Sequence, residues 1–232
     1  IEKMQENDGW AISEFRLPIT GKMGSKTTVF HSIFRAGSTH AKHLHSNSDE
    51  IAIYLSGKGV VGQGESRAEV SKGFCRLMPK GSVHFFYNES LDTDARVVGF
   101  YMGAVSVEDT GYSFCGNVEK EDTKLVRDGL NDGILVHLDD LKKLSSGIPK
   151  SWIDIGILNP IGGFNGSTHS LYQFSLQAGK KTPESIFPGV EAIYYIDGGK
   201  GLISDHISKI PINNVGNSRA ARSAISMCPF VT

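Results

Sequence analysis

Between Trp10 and Gly103, short runs of β-branched and aromatic residues alternate with turn residues. The runs cover 27–34, 50–55, 59–62, 74–78, 83–87 and 96–102. Apolar runs of this length, bounded by Gly, Asn, Asp and Ser and free of helical periodicity, predict an antiparallel sandwich or barrel. After Ser106 the texture turns charged and polar up to about Pro149. Leu138, Leu141 and Leu144 recur there at i, i+3 and i+6 beside Asp139 and Asp140, with Gly147 and Pro149 where a helix would stop, so this stretch predicts a linker with a short helix. Strand texture returns from Trp152 onward, over 170–176, 192–196 and 201–204. The chain therefore divides into a barrel over 8–105, a linker over 106–151 and a second, smaller β unit over 152–232. Residues 213–232 alternate too poorly to assign.

Composition narrows the picture. Glycine supplies 27 of 232 residues, above the usual ~7%, and its scatter between the apolar runs marks tight turns. With 24 Lys and Arg against 25 Asp and Glu, the net charge is −1. No whole-chain field draws phosphate backbones or anionic lipid, which speaks against nucleic-acid and membrane partners. The most apolar stretch, 97–107, is far short of the roughly 20 residues of a membrane span. Cys75, Cys115 and Cys228 are too few and too far apart for a disulfide framework or a thiolate zinc site, so the cytoplasm is the default compartment. The chain opens at Ile1 without a Met or a signal-like segment, a start compatible with a removed leader. Asn88-Glu-Ser and Asn165-Gly-Ser match the glycosylation pattern, which matters only in a secreted protein.

Candidate chemistry is concentrated between His40 and His84. Residues i and i+2 of a strand share a face, so His43 and His45 can present two imidazoles to one point. The polar stretch Ser46-Asn47-Ser48-Asp49 suits a turn that returns Glu50 beside them. Glu50 opens an apolar run, where a buried carboxylate is costly unless it meets a cation. Tyr54 has the parity of Glu50, and Phe86 that of His84, so each either lines a cavity or fills the core. His40, three residues before His43, is either a group close to the ligands and substrate or a solvated loop histidine. Cys75, in an apolar strand, reads as a buried, inert thiol.

Gly37, His43-x-His45, Glu50 and Gly57 fall at spacings of five, four and six intervening residues. Gly73, Pro79-x-Gly81, His84 and Asn88 follow at five, two and three. In these positions the chain resembles the cupin superfamily, over the 52 residues from Gly37 to Asn88. The resemblance implies an all-β fold, a double-stranded β-helix or jelly-roll barrel. It also implies that His43, His45, Glu50 and His84 hold one divalent transition metal. Three imidazoles and a carboxylate suit Mn or Fe, and also Zn, Ni or Cu, and leave positions open for water or substrate. The gap before Glu50 is similar to that of the germin and oxalate oxidase branch. Gly37, Gly57, Gly73, Pro79 and Gly81 read as turn residues, and Asn88 as a structural hydrogen-bonder.

A fainter copy of the first motif follows at Gly179, Ser185-x-Phe187, Glu191 and Gly198. It resembles the second half of a bicupin whose histidines are gone and whose closing strands are missing or too divergent to recognise. His169 and His206 are the only local candidates for rebuilding a site there. The resemblance implies a metal-dependent oxidoreductase or decarboxylase acting on a small organic acid, and association as a homodimer. The alternatives are a cupin isomerase or lyase acting on a sugar or carboxylate, and a small-ligand sensor without turnover.

Overall fold

A computed structural model describes residues 2–3, 14–119, 122, 130, 133–144, 152, 155–184, 189–204, 209–213 and 224–231. The chain folds as two compact units, Ile1–Leu138 and Asp139–Thr232. The predicted barrel start at residue 8 and Trp10 lie outside the described residues, as do Ser185, Phe187 and His206.

The first unit contains β1 (Glu2–Lys3), β2 (Glu14–Ile19), β3 (Thr28–Phe34), β4 (Thr39–His45), β5 (Asp49–Ser56), β6 (Lys58–Gln63), β7 (Ser66–Ser71), β8 (Phe74–Met78), β9 (His84–Tyr87), β10 (Ala95–Met102), β11 (Tyr112–Gly116) and β12 (Ile134–His137). They form two antiparallel sheets, ordered β1-β2-β3-β10-β5-β8-β12 and β11-β4-β9-β6-β7. Phe30, Tyr54, Met78, Val97 and Tyr101 of the first sheet share one buried cluster with Val61, Val70 and Phe86 of the second. The result is an all-β barrel, as the alternation predicts, of the jelly-roll kind that the resemblance implies.

Register decides which residues face this interior. Glu50 pairs with Met78 and Tyr101, and Ala52 with Arg76 and Gly99. Glu50, Ala52, Tyr54, Arg76 and Tyr101 therefore share one face, because cross-strand partners point the same way. Ile51 and Ile53, on the opposite face, are also buried, which is why 50–55 reads as an unbroken apolar run.

The predicted linker differs from the observed chain. Residues 112–116 add β11 to the edge of one sheet, and residues 134–137 add β12 to the edge of the other. No α-helix occurs among the described residues; the leucine repeat lies on a single 3-10 turn, Leu138–Asp140, followed by irregular chain to Leu144. The spacing imitates a helix because its ends serve different cores. The Leu138 N–H donates to Gly73 O in the first unit. The Leu144 N–H donates to Ile157 O, and its side chain packs with Ile155, Ile157 and Phe174 of the second.

The second unit carries β13 (Gly156–Ile161), β14 (His169–Leu176), β15 (Glu191–Ala192), β16 (Tyr195–Ile196), β17 (Lys200–Ser204), β18 (Lys209–Asn213) and β19 (Ala224–Val231). One sheet runs β13-β14-β19-β15, with β16 also pairing β19, and β17 and β18 form a separate two-stranded ribbon. No helix in the described residues is long and apolar enough to cross a membrane.

Candidate metal centre

The four ligand candidates arrive from three strands. His43 and His45 lie two apart on β4, His84 sits directly across from His43 on β9, and Glu50 reaches in from β5 on the facing sheet. The turn returning Glu50 is short and pinned. Its Ser46 and Asn47 N–H groups donate to Gly111 O and Thr110 O, and the Lys80 N–H donates to the Asp49 carboxylate at 2.8 Å. One ligand atom from each of the four lies within 4.8 Å of every other, and all four side chains are buried. Glu50 Oε2 is 3.1 Å from His45 Nε2 and 3.2 Å from His84 Nε2.

The outer ring nitrogens settle what the inner ones present. His43 Nδ1 donates to Ala41 O at 2.7 Å and His84 Nδ1 to Ser82 O at 2.9 Å, since a carbonyl can only accept. His45 Nδ1 meets Thr110 Oγ1 at 2.8 Å, while the Thr110 hydroxyl proton goes to Val107 O at 2.7 Å, so His45 is the donor there too. A neutral imidazole has one ring proton. With a proton on Nδ1, the Nε2 of each ring is the atom that can face a metal; without a metal, His45 Nε2 and His84 Nε2 hydrogen-bond the Glu50 carboxylate.

Burial pushes the basicity of His43 down strongly, helped by the neighbouring His40, His84 and His45. It lowers His84 as well, against the pull of Glu50. Burial alone would raise the Glu50 carboxyl, but its contacts with His45 and His84 outweigh that and hold it well below the usual carboxylate range. His43 Nε2 has no hydrogen-bond partner among the described residues, and neither has the buried Tyr101 hydroxyl on the strand position opposite Glu50. Three buried imidazoles and a carboxylate converge with His43 Nε2 unpartnered among the described residues, and a divalent cation can take the place of the ring protons on the inward nitrogens. The donor set fits a transition metal, and the acceptors on each Nδ1 are the outer partners that orient metal-binding histidines.

The remaining sequence candidates also gather here. His40 is not a solvated loop residue: it is buried on β4, its ring 3.9 Å from that of His43 and stacked on it. Odd spacing should turn it away, but β4 carries a bulge between His40, which pairs with Phe86, and His43, which pairs with His84. That extra residue restores the common face. His40, Tyr54 and Phe86 line a cavity of about 30 Å³ together with His43, Glu50 and His84. Cys75 lies on the opposite face of β8 from this cavity, and burial pushes its thiol up to about 12. Asn88 is fully buried and donates to Phe34 O and Thr93 O.

Sequence reasoning missed Thr110, Tyr101, Tyr112 and Arg76. Tyr112 stacks on His43 with ring centroids 5.2 Å apart. Arg76, 1% exposed, lines the cavity. Only Arg76 leaves a sequence signal, a charge inside the apolar run Phe74-Cys-Arg-Leu-Met78.

The family described as "Cupin domain" matches residues 30–101, the stretch holding all four ligand candidates. Residues 30–101 form a cupin domain. No curated protein sequence matches the chain. Its fold is similar to that of the Lactobacillus farciminis oxalate decarboxylase in a formate complex, with 15% identity and a TM-score of 0.66 over 99% of this chain and 83% of that one. It is similar to protein Ylba from E. coli, at 12% identity and a TM-score of 0.63 over 100% and 82% of the two chains. Hazelnut (Corylus avellana) vicilin gives 10% identity and a TM-score of 0.59 over 99% and 83%. At these identities the chain shares a fold with each, and function has to be argued from its own site.

Proposed function

We propose that this cupin is a metal-dependent enzyme that oxidises or decarboxylates a small organic acid. The observation that carries the reading is the buried convergence of His43, His45, His84 and Glu50 on one point, with His43 Nε2 left without a hydrogen-bond partner among the described residues. A divalent metal held there would supply Lewis-acid polarisation and, as Mn or Fe, one-electron and dioxygen chemistry. The chain's part is to fix the ring tautomers through Ala41, Ser82 and Thr110, and to exclude bulk water with a wall of Phe30, Phe34 and Phe86. The cavity beside the four-ligand cluster is small, about 30 Å³, which favours a small acid over a sugar ring.

The second unit fits a bicupin origin in which one half keeps the chemistry. Glu191 starts β15, and His43, His45, Glu50 and His84 are the one group among the described residues arranged to hold a metal. A homodimer and a cytoplasmic setting complete the proposal.

The test is metal analysis of protein produced with Mn and Fe supplements, followed by oxygen uptake and carbon dioxide release with two- to four-carbon acids. Turnover with one of them, abolished by chelation and by H45A, is expected. Protein that retains no transition metal overturns the reading. Metal without turnover favours the sensor alternative.

A further inference from the structure

Among the described residues, no carboxylate neutralises the charge of Arg76. It sits on β8 opposite Ala52, faces the barrel interior and is 1% exposed. Among the described residues it forms no ion pair. Glu50, the nearest acid in electrostatic reach, is already engaged by His45 and His84. A guanidinium remains charged even when buried, and an unpaired buried charge is among the costliest features a core can hold.

A census of its donors shows where the deficit lies. The guanidinium has five N–H groups. One terminal nitrogen donates to Gly62 O at 2.6 Å and to Gln63 Oε1 at 3.2 Å, and the other donates to Phe85 O at 3.3 Å. Tyr54 is a further side-chain partner. All four acceptors are neutral, and Nε has no partner. Arg76 lines the same cavity as Glu50, His43 and His84.

We propose that Arg76 is the anion anchor of this cavity: its Nε–H donates to one oxygen of a small carboxylate that lies between the guanidinium and the four-ligand centre. This deepens the reading of the site as a metal-dependent enzyme for small acids and rests on it. A divalent ion, the Glu50 carboxylate and the Arg76 guanidinium leave a local charge of about +2. A carboxylate ligand reduces that excess, which a neutral sugar or alcohol cannot do. Arg76 is then a residue that selects acids over neutral ligands of the same size.

The test uses formate, the smallest carboxylate, titrated calorimetrically into full-length wild type, R76Q and R76K, each metal-loaded and each chelator-treated, with metal content measured in parallel. For R76Q the expected result is unchanged metal stoichiometry with formate affinity at least tenfold weaker. R76K is the second variant should R76Q fail to fold. Its ammonium has three donors for the four acceptors that Arg76 already serves, so none is left over, and formate binding at least threefold weaker is expected. Formate affinity unchanged in either folded variant overturns the anchor, and a lowered melting temperature with unchanged affinity marks Arg76 as a purely structural tie between the sheets. Wild type that takes up no metal overturns the underlying enzyme reading instead. The anchor is then judged on chelator-treated protein, where equal formate binding by wild type and R76Q overturns it.

Discussion

Each of the three ligand imidazoles directs its Nδ1 proton to an acceptor outside the cluster, and for His45 that acceptor is a hydroxyl from outside β4, β5 and β9. T110V keeps the bulk of Thr110 and removes the acceptor. A 10- to 100-fold loss of metal affinity is expected, the range typical for outer partners of metal-binding histidines; competition with a fluorescent chelator measures it. Acid stability follows from the same residues. Burial lowers His40 from 6.5 to about 3 and moves His43 and His84 in the same direction. Between these limits the unfolded chain binds protons that the folded chain refuses. Stability of the metal-free protein therefore falls as pH drops from about 6.5 toward 3, by up to ~1.4 kcal/mol per pH unit from His40, with His43 and His84 adding in the same sense. Glu50 acts in the same sense lower down: its carboxyl is held below 4.5, so its contribution is intact above that value and is lost as pH falls through the folded one. Urea titrations at pH 7, 5.5 and 4.5 read the slope, and a flat profile contradicts the burial argument.

Strands and turns carry these residues to one place, and their tolerances differ. Gly57, between β5 and β6, has φ of +77°, and a Cβ there would lie 2.6 Å from Ala95 Cα and 2.8 Å from Asp94 O. G57A is expected to cost at least ~2 kcal/mol, because left-handed strain adds to a backbone clash that no side-chain rotation relieves; thermal unfolding of the variant measures it. Strands with apolar alternation or unbroken apolar runs, such as β3, β5, β8 and β10, are legible in the sequence. β2 is obscured by Pro18 and a register shift between Arg16 and Ile19, and β11 by its exposed edge position, with residues 113–115 exposed. The ligand spacing is legible because His43 and His45 keep simple parity and Glu50 needs only a short turn. The place of His40 is not, since a bulge depends on the partner strand, and the roles of Thr110 and Tyr101 depend on neighbours more than 50 residues away in the chain.

For the whole chain, one cluster among the described residues is arranged to hold a metal, so one ion per chain is the expected stoichiometry, and elemental analysis giving two would place a second site in the other unit. An ion bound only by the folded state stabilises it by mass action, by about 2.7 kcal/mol at free metal one hundred times Kd, so chelation should lower the melting temperature in proportion. Thr110 also anchors more than a ring. Its N–H and hydroxyl both return to Val107 O, while its carbonyl receives Asn47 N–H and its side chain holds His45. Occupancy of the centre and docking of residues 107–111 are thus two readings of a single equilibrium. Deuterium uptake at these amides should slow on loading, and whatever pries the segment loose, whether a protease, a partner or a neighbouring substitution, would release the ion without touching a ligand.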